Sequence, residues 1–212
     1  MTITNSRICF ILMILTAFYA CQKEKVGYNF IPSGNYVNAD QNNGSYIDKS
    51  KDVEKSFIDL NTLSIALSNA NININIGLLK MPDSLIYSQI PLQINSLNYE
   101  WAVYFDMDNS SSLTKGDISI SIKKFKMNDS SIIVNNILTG TQKNIWLYDG
   151  TYFESISNLD KYISLNGNNI CFSIPRSLDT SLLLINNKTN FYFQTTFNDG
   201  THLYKDYYPD RK

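Results

Sequence analysis

Histidine occurs once in the 212 residues, at His202, and that scarcity removes whole classes of chemistry. Any Ser-His-Asp relay, Cys-His pair or His-clustered zinc site would have to pass through this one imidazole. Asp199 and Asp206 are near it in sequence, but no nucleophile accompanies it in a G-x-S-x-G setting, and no glycine loop of the phosphate-cradling kind is present. Glutamate is nearly as rare, with only Glu54, Glu100 and Glu154 beyond the N-terminal region. Glycoside cleavage needs two carboxyl groups converging about 5 to 10 Å apart, and of these glutamates only Glu100 lies on a well-patterned strand, where a solvated face accounts for it. Charge is also nearly absent in net terms, at −1 for the chain. That excludes the basic footprint of a nucleic-acid partner.

Cysteine is limited to Cys9, Cys21 and Cys171, and two of the three fall where export would claim them. Arg7 gives a positive start, the apolar run from Ile8 to Phe18 follows, and Ala20-Cys21 closes it. The run is shorter than the roughly 20 apolar residues a membrane span requires, so residues 1–20 read as a signal peptide. Cleavage before Cys21 would leave that cysteine as an acylated N-terminus, tying the chain to a membrane through lipid. Cys171 then has no partner for an internal disulfide, and the exported domain must rely on its core.

From residue 21 to 54 the chain holds Gly27, Pro32, Gly34, Gly44 and many Asn and Ser without sustained periodicity. It reads as a lipidated cysteine followed by a flexible tether, although Tyr28, Phe30, Tyr36 and Tyr46 are aromatic residues suited to docking on a domain. Beyond it the period is two. Ile72, Ile74 and Ile76 alternate with Asn71, Asn73 and Asn75, an apolar row on one face and an amide row on the other. In YEWAVYFDM, Tyr99, Trp101, Val103, Phe105 and Met107 share one face; in DISISIKKF, Ile118, Ile120 and Ile122 do. Further strands are expected over 60–67, 131–138, 144–148, 152–156, 162–165, 170–174, 191–197 and 202–207. Turns at Asp149-Gly150, Asn166-Gly167 and Asp199-Gly200 separate several of them. Residues 175–186, with Leu182, Leu183 and Leu184, suit one or two helical turns crossing between sheets. The fold class is therefore all-β: an antiparallel β-sandwich of the jelly-roll or immunoglobulin-like kind over residues 55–208.

Two features offer binding chemistry. In DMDNSSSLTKGD, counting from Asp106, oxygen-bearing side chains fall at relative positions 1, 3, 5, 7, 9 and 12, the ligand spacing of a calcium-binding EF-hand loop. Asp106, Asp108 and Asp117 would supply the carboxylates. Ser111 stands where that loop needs glycine and strands flank it instead of helices, so the competing reading is a polar hairpin connection built from Asx-turns. The second feature is aromatic. Tyr104, Tyr148 and Tyr192 take the parity opposite to the core rows, and outward-facing rings of this kind form a platform for stacking on a sugar. Trp101 and Trp146 read as core anchors.

The strand YEWAVYFDMDN with Trp101, its end in Asp106-x-Asp108-Asn109, and the later apolar strands through TTFNDGTHLYKDYYP resemble a β-sandwich of bacterial secreted and surface-anchored proteins, the DOMON-like or family 9 carbohydrate-binding-module-like group. The resemblance covers roughly residues 55–208. It implies a non-catalytic sandwich that binds sugars in some members and haem in others; haem would call for His202 with a methionine such as Met81 or Met107. The expectation is a lipid-anchored, non-enzymatic binding or accessory lipoprotein of the bacterial outer membrane or cell surface, recognising a glycan. The alternative is a structural or adhesive lipoprotein that contacts another protein.

Overall fold

The computed structural model describes residues 45–48, 52–86, 97–125, 133–134 and 136–209. Cys21, the signal segment and most of the tether lie outside them. Among the described residues the ordered elements are β-strands and two short 3-10 turns. One sheet holds, in order, β1 (Ser45–Ile47), β2 (Leu60–Leu67), β3 (Asn71–Leu78), β11 (Asn169–Pro175) and β10 (Ile163–Asn166). The other holds β13 (Leu203–Tyr208), β12 (Asn190–Asn198), β5 (Leu97–Asp106), β6 (Ile118–Phe125), β8 (Gln142–Tyr148) and β9 (Phe153–Asn158). Every pairing is antiparallel. A two-residue ladder joins β4 (Leu85–Ile86) to β7 (Ile133–Val134).

The period-two pattern explains how the sheets meet. Ile72, Ile74 and Ile76 of β3 face Trp101, Val103 and Phe105 of β5 and Ile118, Ile120 and Ile122 of β6 within one buried cluster. Removing each such side chain from water contributes about 1.5 to 3 kcal/mol, which lets the fold stand without a cross-link. The alternate residues of β3 form the expected amide face. Asn73 Oδ1 accepts from Ser173 Oγ at 2.9 Å, and Asn75 Nδ2 donates to Asn169 Oδ1 at 3.2 Å. Cys171 belongs to this outer face and not to the core: it sits opposite Asn75 and its thiol lies 3.4 Å from Asn75 Oδ1.

Two boundaries differ from the sequence expectation. The sandwich takes in Ser45–Ile47, within the stretch assigned to the tether, because Tyr46 is buried in the core beside Phe191 and Tyr208. Within the strand expected over 131–138, Ile133–Val134 is a strand and residues 136–138 belong to a turn, while 131, 132 and 135 lie outside the described residues. The crossover from β11 to β12 is two 3-10 turns, Arg176–Leu178 and Thr180–Leu183. It carries the chain from one sheet to the other, as the leucine cluster suggests.

Candidate functional site

Pairing of β5 with β6 sets Phe105 opposite Ile118, so the next residues, Asp106 and Asp117, converge at the mouth of the intervening loop. One oxygen from each of Asp106, Asp108 and Asp117 lies within 4.8 Å of the others, close enough for a hard divalent cation that takes oxygen ligands. Every carboxylate oxygen, however, already accepts a hydrogen bond from the loop. Asp106 takes the N–H of Ser110 at 3.1 Å and of Ser111 at 2.9 Å. Asp108 takes Ser110 N–H at 3.0 Å and Thr114 Oγ1–H at 2.9 Å. Asp117 takes Met107 N–H at 2.9 Å and Thr114 N–H at 2.8 Å. The carboxylates thus organise the loop through Asx-turns, and Ser111, with φ 61°, adopts the left-handed conformation that glycine ordinarily supplies. Burial pushes Asp117 up to about 6, helped by the nearby Asp106 and Asp108 charges and opposed by its two N–H donors.

A second acidic group escaped the sequence reading because its members are far apart in the chain. Asp48, Asp52 and Asp206 bring carboxylate oxygens within 4.8 Å of one another. Asp206 accepts from Leu60 N–H at 2.6 Å and Tyr207 N–H at 2.8 Å. Burial, reinforced by Asp48 and Asp52, pushes it up to about 8 against those donors.

The expected tyrosine platform is closed. Tyr104 and Tyr192 stack with centroids 4.8 Å apart and planes within 5°, but they are 1% and 0% exposed. They belong to a second buried cluster with Ala102, Phe125, Trp146 and Phe153, on the face of the six-stranded sheet turned away from the main core. Trp146 is therefore an anchor of this second layer and not of the inter-sheet core. Tyr148 is partly buried against Phe153 at 5.1 Å. Glu100 also departs from its expected solvated setting. It is fully buried and accepts from Tyr104 Oη at 2.7 Å and Gln194 Nε2 at 2.7 Å, with Lys123 Nζ 3.3 Å away. A sandwich strand normally leaves one face to water; β5, β6 and β12 are buried on both.

An open concavity lies at the crossover. A cavity of about 440 Å³ is lined by Leu67, Ser68 and Asn69 at the β2–β3 turn and by Arg176, Leu183 and Ile185 with the following asparagines. That volume is within the range of small-ligand sites. Arg176 ties its two walls together: Nε donates to Ser68 O at 2.7 Å, and Nη1 to Leu182 O at 2.7 Å and Ile185 O at 2.6 Å. Sequence reasoning passed over it, since one arginine after a proline carries no pattern.

His202 is 66% exposed at its side chain, with Nδ1 3.7 Å from Asp199 Oδ2. Met81 and Met107, in contrast, pack against the main core. No helix among the described residues is long and apolar enough to cross a membrane. No family model, no curated protein and no solved structure matches this chain.

Proposed function

We propose that this protein is a surface-anchored, non-catalytic binding or accessory lipoprotein of the bacterial outer membrane or cell surface, and that it takes a glycan at the crossover cavity. The observation that carries this reading is the lining of that cavity. Amide and guanidinium groups from Asn69 and Arg176 stand beside the apolar side chains of Leu67, Leu183 and Ile185, a combination suited to a ring with hydroxyl edges and apolar faces. The setting of the one imidazole, exposed on a hairpin turn beside Asp199, supports a binding role over a catalytic one. The experiment is a glycan array probed with residues 22–212, repeated with Asn69→Ala. Asn69 is exposed and its side chain holds no bond among the described residues, so loss of binding in that variant with an unchanged melt assigns the cavity. An array without hits removes the glycan reading.

The anchor is tested separately. A fatty-acid alkyne should label the full chain in cells and leave Cys21→Ser unlabelled; equal labelling of both ends the lipoprotein proposal. A second reading, as an adhesive lipoprotein that contacts another protein, is favoured by Leu183 and Leu184, 59% and 65% exposed beside the cavity. A pull-down that captures a protein partner in wild type and loses it in Leu184→Asp supports that alternative.

A further inference from the structure

We infer that the crossover cavity is an acid-selective subsite, in which Arg176 holds a carboxylate borne by the ligand. The inference rests on the glycan reading for the ring but not for the charge, and it narrows the substrate class to acidic sugars such as uronates.

The argument begins with the donor count. A guanidinium has five N–H donors in a rigid fork. Three are used within the protein: one from Nε to Ser68 O and two from Nη1 to Leu182 O and Ile185 O. Among the described residues, neither Nη2 hydrogen has an acceptor. The three carbonyls fix the plane of the fork, so little rotamer freedom is left to lose when a ligand arrives.

Charge points the same way. Arg176 is only 9% exposed, yet among the described residues no carboxylate pairs with it. Burial alone, with no opposing acid, pulls its pKa below the usual arginine value. A largely buried cation is ordinarily paired, and partial charges on three carbonyls orient a guanidinium without neutralising it. The described lining of the cavity includes no acid either. A carboxylate in the cavity would occupy Nη2 through charge-assisted hydrogen bonds, while Leu67, Leu183 and Ile185 cover the apolar part of the ligand.

The test is titration of residues 22–212 with glucuronate and galacturonate, against their methyl esters and the neutral sugars glucose and galactose, followed by amide chemical shifts. The acids should bind at least about tenfold more tightly than esters or neutral rings, weaken with added salt, and perturb residues 67–69 and 183–187. Asn69→Asp places a carboxylate on the cavity wall at an exposed position; it should abolish the preference for acids and spare the melt. Arg176→Gln should do the same, with a loss of stability from the broken carbonyl clamp. Equal binding of acids and neutral sugars overturns the acid preference and leaves the glycan reading standing. Binding of hexanoate but of no sugar retains the carboxylate subsite and removes the glycan. Acids that perturb none of these residues overturn the subsite outright.

Discussion

Lys123 Nζ lies 3.3 Å from Glu100 Oε1, and both side chains are almost wholly excluded from water. They sit opposite one another on β6 and β5. The ammonium also stands over the rings of Trp146 at 4.7 Å and Phe153 at 4.9 Å, so its charge is met by a carboxylate on one side and by aromatic faces on the others. Burial pushes the Lys123 pKa down, and Glu100 works against that push.

Removing one member of this pair should cost far more than removing both. Glu100→Ala takes the carboxylate away from a buried ammonium and removes an acceptor from Tyr104 Oη and the nearer of two from Gln194 Nε2; a loss of about 3 to 5 kcal/mol is expected. Combining Glu100→Gln with Lys123→Met removes both charges at similar volume and should recover most of that loss. Urea melts of the two single variants and the double variant measure the coupling. Additive losses would show that the pair does not act as a unit.

Gly77 should not tolerate a side chain. It pairs with Thr62 of β2, next to the register shift between Leu60 and Thr62, and with Asn169 of β11. A Cβ there would come within 2.7 Å of both Thr62 O and Asn169 Oδ1, and a backbone carbonyl in the middle of a sheet cannot swing away. Gly77→Ala should therefore lower stability by about 1 to 3 kcal/mol. A melt unchanged from wild type would mean that β2 shifts more freely than its register implies.

How much of this was legible follows from what a period of two records. It records parity, so the rows Ile72-Ile74-Ile76 and Ile118-Ile120-Ile122 and the amide face of β3 were readable before any coordinates. It does not record whether the second face of a strand meets water. Composition held a clue: the alternate positions of β5 and β6 carry Ala102, Ser119 and Ser121, small residues where a solvated face usually has long charged ones. With that clue Tyr104, Tyr192 and Glu100 would have been placed in a second layer instead of on an open platform. The loop from Asp106 to Asp117 was legible as two competing readings, because Asp suits a cation and an Asx-turn equally by spacing. The cavity was not legible. Arg176 meets Ser68 across 108 residues of sequence, and no local pattern encodes that contact.

Stability should fall as pH rises from about 4 to about 8. An unfolded aspartate titrates near 3.9, whereas Asp206 in the fold titrates at about 8. Between these values the folded state holds a proton that the unfolded state has released, so raising the pH favours unfolding, by up to about 1.4 kcal/mol per pH unit for one proton. Below about 4 both states are protonated and the effect vanishes. Asp117, at about 6 in the fold, adds in the same direction in the lower half of the window. Urea melts at pH 5, 6, 7 and 8 should show the decline, and Asp206→Asn should flatten it between 6 and 8. An identical slope in that variant would assign the effect elsewhere.

The loop from Asp106 to Asp117 should be indifferent to calcium. Its carboxylates are engaged by N–H and O–H groups of the loop and strand end, with five contacts to backbone N–H groups, and these persist with or without an ion. Were a cation required, a hundredfold excess over its dissociation constant would add about 2.7 kcal/mol. That would raise the melting temperature by several degrees, since about 1 kcal/mol moves a domain of this size by about 2 to 4 °C. Chelator should instead leave the melt unchanged. The variants discriminate further. Asp108→Ala acts at an exposed site and should cost about 1 kcal/mol, whereas Asp117→Ala strands the N–H groups of Met107 and Thr114 and should cost about 1 to 3 kcal/mol for each left unpaired. Ser111→Gly should be neutral or mildly stabilising, because it relieves a left-handed serine without removing the N–H that Asp106 accepts. A drop in melting temperature on adding chelator that is absent in Asp106→Ala would reverse the conclusion, making the same three carboxylates ligands first and turn-formers second.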